Sequence, residues 1–323
     1  MKIKRTALIT GISGQDGSYL AELLLDKGYE VHGIIREESS GNINDLWRLQ
    51  EIKGRIILHK GSICDYTFLK HVVIAIVPDE CYHFAAQSFV SYSFDDEAVT
   101  LETNINGTLH MLAALRDFSP GCKFYFAGSS EMFGLAQRSP QDETDRFNPR
   151  SLYGISKAAG FHLTHNFRHS YGMFACNGIL YNHESPRRAD IFVTRKITRA
   201  IARIRAGKQK ELRLGNLDAM RDWGYAKDYV RAVWLMMQQD TPDDYIIATG
   251  VLHSVKDFVK IAFSYADLDW EKYVVVAPEF YRPGEEFPLC GNALKARSKL
   301  GWEPTVSFEE LVRMMVQSDL KAI

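Results

Sequence analysis

A glycine-rich turn directly after the first apolar segment restricts the fold of this chain more than any other feature. Residues Thr6 to Thr10 have the pattern of a buried strand, and Gly11, Gly14 and Gly17 lead into an amphipathic helix over Gln15 to Lys27. Glycines at this spacing allow a tight turn, close approach of the backbone to a pyrophosphate and close packing of helix on strand. The helix N-terminus also offers free N–H groups to an anion. The segment predicts a dinucleotide-binding βα unit, with a plain glycine-rich turn as the alternative.

The residues of this unit that we predict to contact the dinucleotide are Gly11, Ser13, Gly14, Gln15, Asp16 and Gly17. The second predicted strand ends at Arg36, where an acidic residue would bind the ribose 2′-hydroxyl of NAD. An arginine suits a 2′-phosphate instead, although the carboxylates of Glu37 and Glu38 would repel that phosphate. The cofactor predicted from this position is NADP(H), with NAD as the alternative. Asp65, after the third strand, is predicted to contact the adenine or to cap the next helix, and both can hold.

Short apolar runs alternate with longer amphipathic stretches as far as about residue 180. The predicted strands are Thr6 to Thr10, Glu30 to Ile35, Arg55 to His59, Glu80 to Phe84, Lys123 to Ala127 and Phe174 to Leu180. This alternation predicts an α/β fold, a doubly wound parallel sheet of the Rossmann type over residues 1–180. Helices predicted near 193–206, 226–239, 254–266 and 307–320, with short strands between them, indicate a smaller mixed α/β lobe for substrate over residues 181–323. Some of that chain is expected to cross back to the first domain.

The bulk composition of the 323 residues excludes several classes of partner. The net charge of −1 provides no field that would attract nucleic acid or an anionic membrane. The first apolar run stops at Gly11, too early for a signal peptide, and no run of about 18 apolar residues could span a membrane. The five cysteines lack metal-ligand spacing. We therefore expect reduced, buried thiols, no metal site and a cytoplasmic location.

A second polar cluster follows the fifth predicted strand. Ser129 and Glu131 lie at its carboxyl end, where open α/β sheets bind their ligands. Tyr153 and Lys157 come later, four residues apart, so that a helix would place both on one face. An ammonium group near a phenol favours the phenolate, so we expect Lys157 to lower the pKa of Tyr153 and make it a base near neutral pH. The same lysine could bind the nicotinamide ribose.

Taken in this order, these residues resemble the extended short-chain dehydrogenases/reductases. The resemblance is closer to one family among them, the GDP-mannose 4,6-dehydratases, whose signature stretches are similar to Cys176 to Arg188, Phe192 to Ala202, Leu214 to Asp218, Arg221 to Gly224, Lys227 to Val230 and Tyr281 to Glu285. It extends nearly end to end, because Gly11 to Leu20, Ala85 to Ser88 and Lys299 to Trp302 match as well.

The resemblance implies a role for each matching residue. The family uses a threonine, a glutamate, a tyrosine and a lysine in catalysis, and these correspond here to Ser129, Glu131, Tyr153 and Lys157. The further cofactor contacts that it implies are Ala85, Ala86, Gln87, Tyr153, Lys157, His183 and Arg188. The implied substrate contacts are Ser88, Glu131, Asn182, Lys196, Arg221, Arg282 and Glu285.

Two positions depart from the family pattern. Ser129 lacks the methyl group that restricts the rotamers of threonine, which leaves the reaction rate open. Gly128 replaces a residue that usually carries a hydroxyl group, which can change the fit around the sugar or the nicotinamide.

The implied reaction converts GDP-mannose to GDP-4-keto-6-deoxymannose. Oxidation of C4 makes the C5 proton acidic, so that water can leave across C5 and C6. In our hypothesis Tyr153 takes the O4 proton with help from Ser129, and the C4 hydride moves to NADP. Glu131 then removes the C5 proton and delivers a proton to the departing C6 hydroxyl, and the hydride returns to C6. The resemblance also implies that Glu37 to Asp45 reaches a neighbouring subunit of a homodimer or homotetramer; a surface loop is the alternative.

Three other functions remain open from the sequence. The chain could be a 4-epimerase or a reductase of a 4-keto sugar, although neither reaction needs a base such as Glu131 at C5. It could be a dehydratase of another GDP-sugar, such as a manno-heptose. It could also be a non-catalytic NADP-sensing protein, since a fold does not dictate a function; such a protein would not need Glu131, Tyr153 and Lys157 together.

Overall fold

The computed structural model describes residues 4–36, 43–90, 96–280 and 287–323. The strands of this part of the chain are β1 (Thr6–Thr10), β2 (Glu30–Ile35), β3 (Ile56–Lys60), β4 (Glu80–His83), β5 (Lys123–Ser129), β6 (Ala175–Leu180), β7 (Asn182–Glu184), β8 (Leu212–Leu214), β9 (Met220–Tyr225), β10 (Asp244–Ile247), β11 (Leu252–Ser254) and β12 (Val274–Val276).

The α-helices are α1 (Gln15–Asp26), α2 (Tyr66–Ile76), α3 (Glu97–Leu101), α4 (Gly107–Phe118), α5 (Leu152–Tyr171), α6 (Val193–Arg205), α7 (Ala226–Met237), α8 (Val255–Tyr265), α9 (Leu294–Leu300) and α10 (Phe308–Lys321). A π-helical turn, Glu102–Asn106, joins α3 to α4. Short 3-10 helices cover Ile43–Leu49, Lys53–Arg55, Ser130–Met132, Trp270–Lys272 and Pro278–Phe280. None of the described helices has the length and hydrophobicity that a membrane span requires.

The main sheet, as far as it is described, has seven parallel strands in the order β3-β2-β1-β4-β5-β6-β10. This arrangement confirms the predicted doubly wound α/β fold. The six predicted strands are present, with ends that coincide or differ by at most two residues; β5, for example, continues to Ser129 rather than stopping at Ala127. Because the strand order reverses between β1 and β4, a crevice opens at the carboxyl ends of these two strands.

Local sequence signals fix the ends of several helices. The Ser151 hydroxyl accepts a hydrogen bond from the Gly154 N–H at the start of α5, and Gly172, with φ of +65°, ends that helix in the left-handed region. Helix α10 begins with a capping box, in which the side chains of Ser307 and Glu310 each accept from the backbone N–H of the other. These caps satisfy backbone groups that a helix leaves free at its ends, and α10 lies within one residue of the helix predicted near 307–320.

The seventh strand of the main sheet comes from beyond residue 180. Strand β10 pairs in parallel with β6, and α7 packs against α1 and the sheet. Trp302 is fully buried in the same core, and its indole N–H donates to the Asp228 carbonyl oxygen at 2.8 Å. The C-terminal half of the chain therefore completes the core around the main sheet. The division into two domains at residue 180 stays a prediction.

The smaller lobe has an apolar core of its own. Ile197 of α6, Phe258 of α8 and Val312 of α10 meet at its centre, each fully buried. Strands β7, β9 and β11 form a small sheet on this core. Since β7 follows β6 after a single residue, the chain passes from the main sheet into this lobe directly above the crevice. The lobe is thereby held against the carboxyl edge of the main sheet.

Replacing Trp302 by alanine should lower the free energy of unfolding by about 3–5 kcal/mol, because it removes a fully buried indole from the main core. Urea denaturation of the full-length chain, followed by circular dichroism, measures the effect. Trp302→Phe is the matched control, since it keeps a buried aromatic ring but loses the N–H donor and part of the indole volume, and it should cost clearly less. An equal loss in both variants would show that the hydrogen bond, and not the buried volume, stabilises this junction.

Candidate active site

The turn between β1 and α1 has the backbone shape that its glycines predict. Gly11 has φ of +71°, and a Cβ atom there would lie 2.8 Å from the Ala85 nitrogen. A Cβ atom on Gly17 would lie 2.4 Å from the Gly11 carbonyl oxygen, so α1 packs on the turn with no room for a side chain. No side chain caps α1 at Gly14. The N–H groups of its first turn therefore have no side-chain acceptor, and because Gly14, Gln15 and Asp16 border the cavity at this edge, they are available to an anion there.

A long cavity of about 480 Å³ runs along the carboxyl edge of the sheet, and we call it the sheet-edge cavity. It brings together residues from distant parts of the sequence. The predicted site residues that line it are Gly11, Ser13, Gly14, Gln15, Asp16, Gly17, Arg36, Ala85, Ala86, Gln87, Ser88, Ser129, Glu131, Tyr153, Lys157, Asn182, His183, Arg188 and Arg221.

A second cavity, of about 580 Å³, lies between the two lobes, and we call it the interlobe cavity. Glu131, Asn182, Arg188 and Arg221 line both cavities, so the two spaces meet beside Glu131. Lys196 lines only the interlobe cavity. Arg282 and Glu285 lie outside the described residues, as do residues 37–42 of the segment that the resemblance links to a neighbouring subunit.

Asp65 lies at the surface and not on the wall of the sheet-edge cavity, which its neighbour Cys64 lines instead. The Asp65 carboxylate accepts a hydrogen bond from the Phe68 N–H at 3.1 Å and caps α2. The capping alternative is thus confirmed. The adenine contact stays a prediction. It is not favoured by the position of the Asp65 carboxylate, which is bonded to the Phe68 N–H and does not line the cavity.

The four residues expected to be catalytic gather at the end of β5 and on the adjacent face of α5. The Ser129 hydroxyl accepts a hydrogen bond from the Glu131 N–H at 3.2 Å, which starts the 3-10 turn that holds Glu131 over the cavity. Tyr153 and Lys157 are buried, and the Lys157 Nζ lies 5.8 Å from the centre of the Tyr153 ring. The Lys157 ammonium donates to the Ala127 carbonyl oxygen at 2.8 Å. The end of β5 therefore positions Glu131 and Lys157 directly.

The expected low pKa of Tyr153 is wrong for the protein by itself. Burial raises the pKa of Tyr153 to about 12, although the Ser129 hydroxyl acts in the opposite direction. Burial also lowers the pKa of Lys157 to about 8, which Asp16 partly offsets. The physical reason is that both groups lose solvent, and desolvation disfavours the charged form of each. At neutral pH Tyr153 keeps its proton, and Lys157 is only partly charged at the upper end of the physiological range.

The departure at Gly128 has a structural explanation. A Cβ atom at this position would lie 2.9 Å from the Gly178 carbonyl oxygen on β6 and 3.2 Å from the Met132 Cε. A hydroxyl-bearing side chain would therefore need the two strands to move apart. The glycine lets β5 and β6 approach closely beside Ser129.

A buried ion pair joins the glycine-rich turn to the smaller lobe. The His183 Nε2 lies 2.8 Å from the Asp16 carboxylate, and its Nδ1 donates to the Tyr181 carbonyl oxygen at 2.7 Å. Burial alone would raise the pKa of Asp16, but the charge of His183 and its hydrogen bond lower that pKa overall. Burial alone would lower the pKa of His183, but Asp16 raises it overall. The pair therefore favours imidazolium with carboxylate.

Gln15 strengthens the same junction. Its side-chain amide donates to the His183 carbonyl oxygen at 3.1 Å and accepts from the Ser185 hydroxyl at 2.7 Å. The first turn of α1 is thus bonded through side chains to the segment around β7. His183 and Arg188 line the sheet-edge cavity as the resemblance implies, but His183 already has partners on both ring nitrogens.

The sequence reasoning missed a buried polar network behind the cavity. The Ala85 N–H donates to the Thr10 hydroxyl at 3.1 Å, and His83 lies between the hydroxyl groups of Thr10 and Thr108, at 2.9 and 3.2 Å. Because the Thr108 hydroxyl donates to the Asn104 carbonyl oxygen, it accepts from the His83 Nε2–H. Burial, followed by the charge of Lys157, lowers the pKa of His83 to about 3, so this histidine stays neutral. The network fixes the ends of β1 and β4.

Asn104, in the π-helical turn, extends this network to α5, the helix of Tyr153 and Lys157. Its side chain accepts from the Gln87 N–H at 2.8 Å, donates to the Gln87 carbonyl oxygen and donates to the Ser156 hydroxyl at 2.9 Å. Ser156 in turn donates to the Tyr153 carbonyl oxygen. A π turn often marks a functional position, but an interrupted helix leaves no hydrophobic periodicity that would have revealed Asn104.

Two arginines on the cavity walls were also missed. Arg48, from the 3-10 helix after β2, lines the sheet-edge cavity. Arg150 lines the interlobe cavity, and its buried Nη1 has no hydrogen-bond partner among the described residues. Each lies in a segment without a motif, so only the fold reveals that it faces a cavity.

Comparison with known proteins gives the family of the chain. Residues 8–315 match the family model described as GDP-mannose 4,6 dehydratase. The GDP-mannose 4,6 dehydratase 1 of Arabidopsis thaliana is 49% identical over an aligned length of 333 residues. The match covers 99% of this chain and 91% of that protein.

Two solved structures share the fold over the full length. The UDP-glucose 4-epimerase of Thermotoga maritima, determined with UDP-glucose, is 27% identical with a TM-score of 0.86, covering 98% of this chain and 99% of that one. The UDP-glucose 4-epimerase of Thermus thermophilus, determined with NAD, is 25% identical with a TM-score of 0.86, covering 98% and 100%.

Asp16→Asn should destabilise the protein more at acidic than at alkaline pH. Because the pKa of His183 is higher in the folded protein than its usual value of 6.5, the charged histidine stabilises the fold. This stabilisation is fully present below pH 6.5 and is lost as the pH rises through the pKa of the folded protein. The lowered pKa of Asp16 contributes stability above 3.8 that is lost in stronger acid. In the variant His183 must stay neutral, so the loss at about pH 5.5 should reach about 3 kcal/mol and exceed that at about pH 8.5.

Urea denaturation at the two pH values measures this difference. Glu22→Gln is the matched control, because Glu22 pairs with Arg187, whose charge does not change in this range. The control should show the same loss at both pH values. If Asp16→Asn behaves like the control, His183 is not charged in the folded protein.

Proposed function

Because the chain belongs to the GDP-mannose 4,6-dehydratase family, we propose that it removes water from GDP-mannose to give GDP-4-keto-6-deoxymannose. The observation that best supports the proposal is the position of Glu131. This carboxylate lies where the two cavities meet, on the same strand end as Ser129 and beside Tyr153. A base at this point suits a reaction that must remove a carbon-bound proton, whereas a 4-epimerase or a 4-keto reductase needs no such base at C5.

We further propose a nicotinamide dinucleotide as the resident cofactor, NADP(H) before NAD. Its fit rests on the cradle at Gly11 and Gly17, which only a bare backbone can form, and on a cavity that continues from this cradle to Tyr153 and Lys157. Arg36 lines the cavity at the end of β2, and this position supports the 2′-phosphorylated form. When bound, the nicotinamide supplies a hydride acceptor and donor and, in its oxidised form, a positive charge.

Tyr153, Ser129 and Lys157 are the residues that we propose for the chemistry at C4. Tyr153 takes the O4 proton, and Ser129 hydrogen bonds the same oxygen. Because the pKa of Tyr153 is about 12 in the protein alone, the phenol needs a positive charge near it to act as a base. Lys157 provides part of that charge, since its ammonium is held next to Tyr153 by the Ala127 carbonyl oxygen.

Glu131 is proposed for the chemistry at C5 and C6. It removes the C5 proton, which the C4 ketone has made acidic, and a proton passes to the C6 hydroxyl as it leaves as water. The hydride taken from C4 would then be returned to C6, and C5 would take a proton that exchanges with solvent. The sum is loss of one water, with no net oxidation. The Glu131 backbone N–H donates to the Ser129 hydroxyl, so the Glu131 carboxylate is held at the same strand end that is proposed to bind O4.

The interlobe cavity is proposed to hold the rest of the substrate. Lys196 and Arg221 lie on its wall and provide positive charge for the diphosphate. Asn182 lies where the cavities meet, and Ser88 lines the sheet-edge cavity; both are proposed to contact sugar or phosphate oxygens. Arg282 and Glu285, from the family pattern, complete the proposed set.

Two expectations from the sequence also stay proposals. One is assembly as a homodimer or homotetramer through the segment at 37–45, as the family resemblance implies. The other is a cytoplasmic location. Chemical cross-linking of the purified protein would test the first, and fractionation of cells that express the chain would test the second.

Glu131→Gln should separate the two halves of the reaction. With GDP-mannose and cofactor, this variant should bind substrate and still oxidise C4, so the absorbance of reduced nicotinamide accumulates. Dehydration should fall roughly a hundred- to ten-thousand-fold, the usual contribution of a general base, and no solvent deuterium should enter the sugar. Mass spectrometry in heavy water measures the loss of water and the uptake of deuterium. Tyr153→Phe is the matched control and should give neither reduced cofactor nor deuterium uptake. Normal turnover of Glu131→Gln would refute the proposed role.

Arg36→Ala should weaken binding of NADPH more than binding of NADH, because only NADPH carries the 2′-phosphate. Fluorescence titration of the purified protein with each dinucleotide gives the two dissociation constants. Arg55→Ala removes an exposed arginine that does not line the cavity, and it should change neither. If NADPH and NADH weaken equally in Arg36→Ala, the proposed role of this residue is wrong.

A further inference from the structure

Arg48 is held against the glycine-rich turn by carbonyl oxygens. It belongs to the 3-10 helix Ile43–Leu49 and lines the sheet-edge cavity, half-buried. Its Nε donates to the Arg187 carbonyl oxygen at 2.8 Å, and its Nη1 lies 3.4 Å from the Ser13 carbonyl oxygen. Two backbone contacts from different parts of the chain fix the guanidinium at the cavity wall.

The surroundings of Arg48 are strongly positive. Arg187, Arg188 and Arg195 lie close enough to act on its charge. Each of these three has a carboxylate partner, in Glu22, Glu184 and Asp319 respectively. Among the described residues no carboxylate forms an ion pair with Arg48. Burial, followed by the charges of Arg195 and Arg187, lowers the pKa of Arg48 to about 10, so the guanidinium is still charged at neutral pH. A bound anion would compensate for this charge.

The contacts of Arg48 also place it beside the glycine-rich turn. The N-terminus of α1 is the position for a pyrophosphate, and the end of β2 is the position for the adenosine ribose. Arg48 contacts the Ser13 carbonyl oxygen of the turn, and Arg36 at the end of β2 lines the same cavity. The two guanidinium groups therefore belong to the wall of one cavity, with the turn as the element that Arg48 touches directly.

We propose that Arg48 binds the 2′-phosphate of the adenosine ribose and, with Arg36, makes the site selective for the phosphorylated cofactor. This inference rests on the proposed dinucleotide cofactor. A guanidinium with several donors suits the phosphate oxygens, and the bonds to the Arg187 and Ser13 carbonyl oxygens orient it before the ligand arrives. Arg36 is exposed at the end of its strand, whereas Arg48 is half-buried and hydrogen bonded to two carbonyl oxygens. Arg48 is therefore the more rigid of the two guanidinium groups.

The test compares ligands that differ only in this phosphate. Fluorescence titrations with NADPH and NADH, and competition by 2′,5′-ADP and 5′-AMP, are made on the wild-type protein, Arg48→Met and Arg48→Lys. Arg48→Met should bind NADPH and 2′,5′-ADP at least about tenfold more weakly, with NADH and 5′-AMP changed less than about threefold. Arg48→Lys should lie between, because it keeps the charge and loses the fork. Arg203→Met removes an exposed arginine of α6 that does not line this cavity, and it should change none of the four affinities.

Each other outcome overturns the inference in a recognisable way. Equal weakening of NADPH and NADH would mean that Arg48 serves the pyrophosphate or the turn itself. Unchanged affinities in Arg48→Met would remove it from the cofactor site. If the wild-type protein binds neither dinucleotide, the proposed cofactor fails together with the inference. Circular dichroism on all variants, with Arg48→Lys as the milder substitution, separates loss of the phosphate contact from loss of the fold.

Discussion

The ion pair between Asp16 and His183 is the interaction on which the site depends most. It joins the first turn of α1 to the strand that begins the smaller lobe, and both partners are largely buried. A buried charge without its partner is costly, so neither element can move away alone. Gln15 adds two neutral hydrogen bonds to the same contact. The width of the crevice is therefore set by a charged contact and not by apolar packing alone.

His83 and Asn104 belong to a hydrogen-bonded network behind the crevice, and this network joins the end of β4 to α5. His83 remains uncharged at the carboxyl end of β4, and Asn104 bonds both backbone groups of Gln87. Such a network is stable only when every member has a partner, because an unpaired polar group in the interior costs more than it contributes. Its consequence is a fixed position for the Tyr153 helix relative to β4.

The sequence predicted those parts of the fold that depend on local patterns. Apolar runs marked the first six strands, and the spacing of the glycines marked the turn after β1. It did not reveal β10, since four residues between a helix and a loop carry too little periodicity to be read as a strand of the main sheet. Nor could it predict the raised pKa of Tyr153, because that value depends on how much solvent the folded chain excludes. Arg48 was missed because only the folded chain shows which cavity its segment lines.

The late position of β10 in the chain has a consequence for biogenesis. When β6 has emerged from the ribosome, its outer edge exposes unpaired N–H and C=O groups until residues 244–247 follow. An open edge of a buried, parallel strand is a site for pairing with another chain. During synthesis the outer edge of β6 therefore stays unpaired until β10 has been translated. Chaperone capture during translation would protect the protein most in this interval.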